Sequence, residues 1–280
     1  MPQSSFAASD PSLRALARSL EGLLGEALDG ATVVLERASS GAREEGVEVL
    51  AVLRRDDPRD ALLVSDEHVA RRAADVLDDP ATLDPSDPLR SVGEGARIGA
   101  VGDLRVAQLR ATRPDLEVER FEDEDALVAA FAADEMPAVL ISSLTLDRIG
   151  RSEGLRRRLD PPWIGEPAAG AVWIRGPWTP DLRERLLPLE DRNSRIEVVV
   201  ELAVLEAFAP PDGCLFGAQA RTSHSRLELR ALVIDEATGR AIAAKRTGEA
   251  TMRGAHRVAG MLARLLEERG AGRLGQGRRG

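Results

Sequence analysis

Between Arg97 and Ser142 the sequence alternates between two periods. Apolar strand-like runs fall at Arg97 to Val101, Glu117 to Phe121 and Ala138 to Ser142, and helical spacing falls at Leu104 to Thr112 and Asp123 to Ala133. Strands separated by helices cannot close as hairpins. They pair in parallel through right-handed crossovers, so this stretch predicts a βαβαβ unit on one parallel sheet. The rest of the chain has to be fitted around that unit.

Upstream, Leu13, Leu16, Leu20, Leu23, Leu24 and Leu28 share one face of a helix predicted over Ser12 to Leu28, with Asp29-Gly30 as its stop. Strands follow at Thr32 to Leu35 and Val47 to Leu53, separated by a polar loop from Glu36 to Gly46. A further strand is predicted at Ala61 to Val64, a helix at His68 to Leu77, and a loop at Asp78 to Pro88. Downstream, Leu159 to Pro180 is rich in Pro, Gly and Trp and reads as a linker passing back between domains. The last third predicts a helix (Arg195 to Phe208), a Pro-Pro-Asp-Gly-Cys turn, two strands (Leu227 to Asp235, Arg240 to Thr247) and a helix (Arg253 to Glu268). That pattern calls for an antiparallel sheet with helices on one face. The glycine- and arginine-rich tail from Gly270 is expected to be disordered. A chain of 280 residues has room for two or three such domains.

Composition removes several classes of function. With 38 basic against 47 acidic residues the net charge is −9, the wrong sign for a surface that tracks phosphates, so no nucleic-acid partner is expected. No apolar run approaches the roughly 20 residues of a membrane span, and Met1 to Asp10 has neither the basic nor the apolar part of a signal peptide. A cytoplasmic protein with no membrane partner is the expectation. Cys214 is the one cysteine, so an intramolecular disulfide is excluded, and with 3 histidines a structural zinc cluster is not expected.

Several ordered stretches resemble one family. Arg54-Arg55-Asp56-Asp57-Pro58-Arg59-Asp60-Ala61-Leu62 is similar to R-E-D-P-R-D-A-L. Arg97-Ile98-Gly99, Leu104 to Leu109 and Arg113 to Val118 are similar to G-T-S-S-L-R-R-x-A-Q-L followed by R-P-D-L-x-V. Leu146 to Gly150 is similar to L-K-R-L-G, Pro167 to Ile174 to P-G-Q-G-A-L-x-I, and Glu201 to Leu205 with Gly213-Cys214 and Gly217-Ala218 to E-R-A-F-L…G-G-C…G-A. In this order, from about Leu20 to the final helix, the chain resembles the porphobilinogen deaminase (hydroxymethylbilane synthase) family.

The resemblance implies an α/β fold with two hinged domains of the periplasmic-binding-protein type and a smaller C-terminal α+β domain. The corresponding boundaries are 1–56 with 159–190 for a truncated first domain, 57–158 for the second, 191–269 for the cysteine-bearing third, and 270–280 for a disordered tail. It implies a cytoplasmic transferase of tetrapyrrole biosynthesis that polymerises four porphobilinogen units and releases ammonia. Its dipyrromethane cofactor would be covalently attached at Cys214, and Arg105 would bind cofactor carboxylates. The Pro-Pro-Asp-Gly turn is expected to lift Cys214 toward the cleft between domains.

The sequence departs from the family where the chemistry is concentrated. The family's catalytic aspartate closes an H-S-x-K-D motif, and Ser40 stands at that place, with Ser39 at the lysine. A hydroxyl cannot protonate and position the pyrrole as a carboxylate does. Glu36 and the Glu44-Glu45 pair are the nearest acids. Family arginines bind the acetate and propionate groups of the growing chain, and Leu104, Phe121 and Leu127 stand at or near three of their positions. Val101 and Gly102 replace two serines, and Glu122 to Asp125 place four acids where a polyanion would lie. The family's opening strand and the segment after it have no counterpart, so the first domain is expected to lack its first β-α-β part and to expose strand edges that a protein partner could cover. Two readings stay open: a divergent deaminase, with porphobilinogen or a related small anion as its ligand, and a non-catalytic paralogue with a binding or structural role. A solute-binding protein, a third reading, leaves the C-terminal cysteine domain unexplained.

Overall fold

The computed structural model describes residues 5–8, 13–24, 32–38, 48–68, 88–150 and 155–275. The strands are β1 (Ser5–Ala8), β2 (Thr32–Arg37), β3 (Glu48–Val52), β4 (Asp60–Val64), β5 (Arg97–Val101), β6 (Glu117–Phe121), β7 (Ala138–Ser142), β8 (Leu155–Arg158), β9 (Val172–Gly176), β10 (Cys214–Ser223), β11 (Arg226–Asp235) and β12 (Ala241–Glu249). The helices are α1 (Arg14–Leu24), α2 (Asp103–Thr112), α3 (Glu124–Ala132), α4 (Ser143–Ile149), α5 (Pro180–Leu186), α6 (Arg192–Phe208) and α7 (Met252–Glu268). They build three sheets, ordered β1-β2-β9-β3, β6-β5-β7-β4-β8 and β10-β11-β12. No helix of the described residues is long and apolar enough to cross a membrane.

The βαβαβ unit forms as the periodicity predicts, with β5 parallel to both β6 and β7. Its sheet is nevertheless mixed, because β4 joins β7 antiparallel and β8 joins β4 antiparallel. Alternation along the central strands feeds two cores. Leu62, Val64, Ile98, Ala100, Ala138 and Leu140 meet Val106 and Leu109 of α2 on one face. On the other, Ala61, Leu63, Val139 and Ile141 meet Leu127 and Phe131 of α3 and Leu146 of α4. Strands buried on both faces read as continuous apolar runs, which is how Ala138 to Ile141 appears in the sequence.

Three expectations are corrected. The segment Leu159 to Pro180 is not wholly a linker, since β9 lies inside it and occupies the centre of the first sheet between β2 and β3. The first domain does open with a β-α-β unit, because β1 pairs parallel with β2 around α1. The tail segment from Gly270 to Gly275 is ordered, with a turn at Ala271–Arg273 and with Ala271 and Leu274 packed into the third core. The predicted helix at His68 to Leu77 and the loop at Asp78 to Pro88 fall almost entirely outside the described residues.

The third sheet is antiparallel, with α6 and α7 packed on one face: Ile196, Val200, Val204 and Phe208 of α6 meet Phe216, Leu229 and Val233. Its other face meets the second domain. There the Gln108 side chain donates to the Ile164 carbonyl at 2.9 Å and accepts from the Ile164 N–H at 3.2 Å. The Ala218 N–H donates to the Gly165 carbonyl at 3.1 Å. So close is this approach that a Cβ at Gly217 would lie 3.0 Å from the carbonyl oxygens of Ile164 and Gly165, in the irregular segment between β8 and β9.

Candidate functional site

Arg105 projects from α2 into a shell of carboxylates belonging to the chain itself. Its Nε donates to Asp60 Oδ1 at 2.9 Å, its Nη2 lies 2.8 Å from the same oxygen, and its Nη1 donates to Glu124 Oε1 at 2.8 Å. Asp60 is buried at the start of β4, where its second oxygen accepts the Trp163 indole N–H at 2.8 Å. Glu124, in the first turn of α3, also accepts from the Ser142 N–H and hydroxyl and from the Thr145 hydroxyl. Burial alone would weaken the arginine's charge, but Asp60 and Glu124 more than offset this and hold it protonated. Two internal carboxylates thus take the directions in which a guanidinium would grip an external one.

Burial by itself would raise the Glu124 carboxyl; Arg105, with help from Thr145 and Ser142, outweighs it and holds the group below the ordinary carboxylate range. A group depressed in the folded state contributes stability above its unfolded pKa and loses it as pH falls through the folded one. Glu124→Gln is therefore expected to be less stable than the parent at pH 7, by roughly 1 to 3 kcal/mol, with the gap narrowing as pH falls below about 4. Urea midpoints of the two proteins across pH 3 to 7 check this, and a constant gap would contradict it.

Leu104, Leu127 and Phe121, expected at or near family arginine positions, all pack into cores. Leu104 is buried with Ala107 against Ile234 and Leu215, closing α2 onto the third sheet. Leu127 is fully buried, and Phe121 packs against the same cluster. Gly99 lies beneath them, where a Cβ would collide with Leu127 Cδ1. Of the four acids, Asp123 caps α3 through the Ala126 N–H at 2.7 Å, and Asp125 pairs with Arg148 at 2.5 Å. Glu36 is committed as well: it lies on β2 and accepts from Arg175 at 3.0 Å and from the Trp173 indole at 3.2 Å. Ser40, Ser39, Glu44 and Glu45 lie outside the described residues.

Cys214 opens β10. Alternation places it on the face of Phe216, Ala218 and Ala220, so its half-buried side chain packs against the third core. The expectation that the turn lifts it toward the cleft is corrected: strand pairing with Asp235 begins at Cys214 itself, and the pleat sets its direction. Burial first, and then the Asp235 carboxylate, push the thiol upward. The C-terminal segment closes over it. The Gly275 N–H donates to Asp235 at 3.0 Å, and a Cβ on Gly275, whose φ is +76°, would stand 2.6 Å from the Asp212 carbonyl and 3.4 Å from Cys214 Sγ. Only glycine fits this approach without strain.

A cavity of about 380 Å³ lies between the start of α2, Glu166 and Pro167, α6 and the start of β10, lined by Leu104, Leu202, Leu205, Leu215 and Phe216, among others. Its charged lining is Asp103 and Glu166. A dipyrromethane carries several carboxylates and needs cations around it. In this cavity it would meet two acids and otherwise apolar groups, with no cation in the lining, so the lining of this cavity does not fit the group.

Three sheets, two of them mixed or parallel and covered by helices and one small and antiparallel with Cys214 at its head, define a mixed α/β protein. The family model "porphobilinogen deaminase, dipyrromethane cofactor binding domain" matches residues 40–176, a span that ends with β9 and stops short of Cys214. The porphobilinogen deaminase of Stenotrophomonas maltophilia is 32% identical over 183 residues, 64% of this chain and 60% of that protein. That of Xanthomonas oryzae is 30% identical over 236 residues, 78% of this chain and 77% of the relative. That of Micrococcus luteus is 26% identical over 231 residues, 69% and 56%. The chain belongs to the porphobilinogen deaminase family, transferases of tetrapyrrole biosynthesis, and the alignments span between 56% and 77% of these relatives' length. Among solved structures, an ancestral cationic amino acid solute binding protein aligns with 66% of this chain at a TM-score of 0.35 and 10% identity, a likeness too weak to bear on the fold.

Proposed function

We propose that this chain is a non-polymerising member of the deaminase family, which keeps the hinged fold in a binding or structural role and does not turn over porphobilinogen. The observation that carries the reading is the engagement of Arg105 by Asp60 and Glu124, which leaves the one retained clamp residue without a hand for a substrate carboxylate. The Asp103 and Glu166 lining of the neighbouring cavity supports it, since like charges oppose an anionic ligand. Any protein partner of the first domain would meet β1: the other outer strand, β3, has its Val52 N–H and carbonyl taken by Glu190 and Asp191.

The second reading, a residual deaminase, is supported by the retained Cys214 and Arg105, by the match to the family's cofactor-binding domain and by the relatives named porphobilinogen deaminase. Intact-protein mass spectrometry separates the two. The expected mass is that of the bare polypeptide, before and after incubation with porphobilinogen. A covalent dipyrromethane increment that maps to Cys214 would overturn the proposal.

A further inference from the structure

A second cavity, of about 450 Å³, opens where α2 and the irregular segment at Leu159 to Trp163 meet β11 and β12. Leu89, Leu159, Trp163, Leu232 and Ile234, all buried, supply most of its apolar wall. It exists because β12 presents two small residues there: Ala241 lies opposite Ile234 and Ala243 opposite Leu232, and neither side chain reaches across the gap. The volume lies within the roughly 300–1,000 Å³ of small-molecule sites, which concentrate at interfaces between domains.

The polar groups of the wall mostly turn away from the space. Gln108 spends its amide on Ile164, and Trp163 spends its N–H on Asp60. What remains is the Thr112 hydroxyl and the carboxylate of Asp160, exposed at the rim, where one oxygen accepts from Arg59 at 2.9 Å. An acid at the mouth of an apolar cavity opposes anions and favours a molecule that offers an N–H.

We infer that this cavity is a binding site for a flat, apolar aromatic amine, neutral or singly cationic, a class opposite in charge to the acidic pyrroles of the family. The inference does not rest on the loss of turnover: an adduct on Cys214 would overturn that reading and leave this one standing.

The test uses the full chain and N-phenyl-1-naphthylamine, a neutral amine that is dim in water and bright in apolar surroundings. Saturable one-to-one binding is expected, with a Kd on the order of 10 to 100 µM. Ala243→Leu fills the space and is expected to weaken binding at least tenfold without lowering Tm; Ala241→Leu is read in the same way should the first variant prove unstable. The sulfonated analogue 8-anilinonaphthalene-1-sulfonate is expected to bind at least tenfold more weakly than the amine, and Asp160→Asn to narrow that difference. Fluorescence that never saturates, or an affinity untouched by a stably folded leucine variant, would overturn the site.

Discussion

Incubated with porphobilinogen, the purified protein is expected to form hydroxymethylbilane at least about 10²-fold more slowly than a deaminase with its acid in place, since a positioned general acid is commonly worth about 10² to 10⁴-fold. The product is followed as uroporphyrin after acid cyclisation. The expectation rests on the reading of Ser40 as the residue at the acid's place; Glu36, the nearest substitute in sequence, is held by Arg175 and Trp173 within the first sheet. Binding is expected to suffer with rate, because Arg105 is occupied by internal carboxylates. The combined variant Ser40→Asp, Leu104→Arg, Phe121→Arg is expected to fold poorly before it regains activity. Its first arginine enters the contact of Leu104 with Ile234, and its second enters the packing of Phe121 over Gly99. An ordinary enzymatic rate from the unaltered protein would overturn the prediction.

The largest expected effect on stability lies at Glu201, where the hinge is fastened to the third domain. Arg55 grips its carboxylate with both ends of the guanidinium, at 2.8 and 2.9 Å, and also donates to the Ala169 carbonyl at 2.7 Å. Glu201 accepts in addition from the Ala168 N–H at 2.6 Å and from the Ala220 N–H at 2.5 Å. Complete burial pushes this carboxyl upward, and Arg55 with the two N–H groups pulls it back. Glu201→Ala removes the anion that Arg55 grips, leaves that buried cation with the more distant Glu197 at 3.7 Å, and strands two buried donors, so the loss is expected to be about 3 to 5 kcal/mol in urea unfolding. Replacing both partners, as Arg55→Met with Glu201→Leu, should recover part of that loss because no lone charge is left behind. If the single variant proved nearly neutral, the pair would not be the fastening described.

Legibility in the sequence followed the range of the interactions. The βαβαβ unit was readable because each of its strands and helices carries its own period, and Ala138 to Ile141 shows double-sided burial as an unbroken apolar run. β10 was invisible: Gly217, Ala218 and Ala220 are small because Ile164 and Gly165 on one side and the helical core on the other press on it, a demand set by distant residues. β9 was hidden for a related reason, since Pro and Gly flank a short run whose partners are β2 and β3, far upstream. At the site, the positions of Arg105 and Cys214 could be read from motif order. Their engagement could not, because Asp60 and Glu124 reach Arg105 from separate elements and Gly275 reaches Cys214 from beyond the last helix.

The central place of β9 has a consequence during synthesis. As the chain leaves the ribosome, β2 and β3 emerge with no strand to lie between them, and their shared neighbour follows about 120 residues later, a delay on the order of 10 s at bacterial elongation rates. The sheet of Arg97 to Ser142, whose parallel strands are close in sequence, can close in that interval. Nascent chains stalled before Val172 should therefore carry a protease-resistant middle and a cleavable start, and the N-terminal third would depend on its successor for shelter.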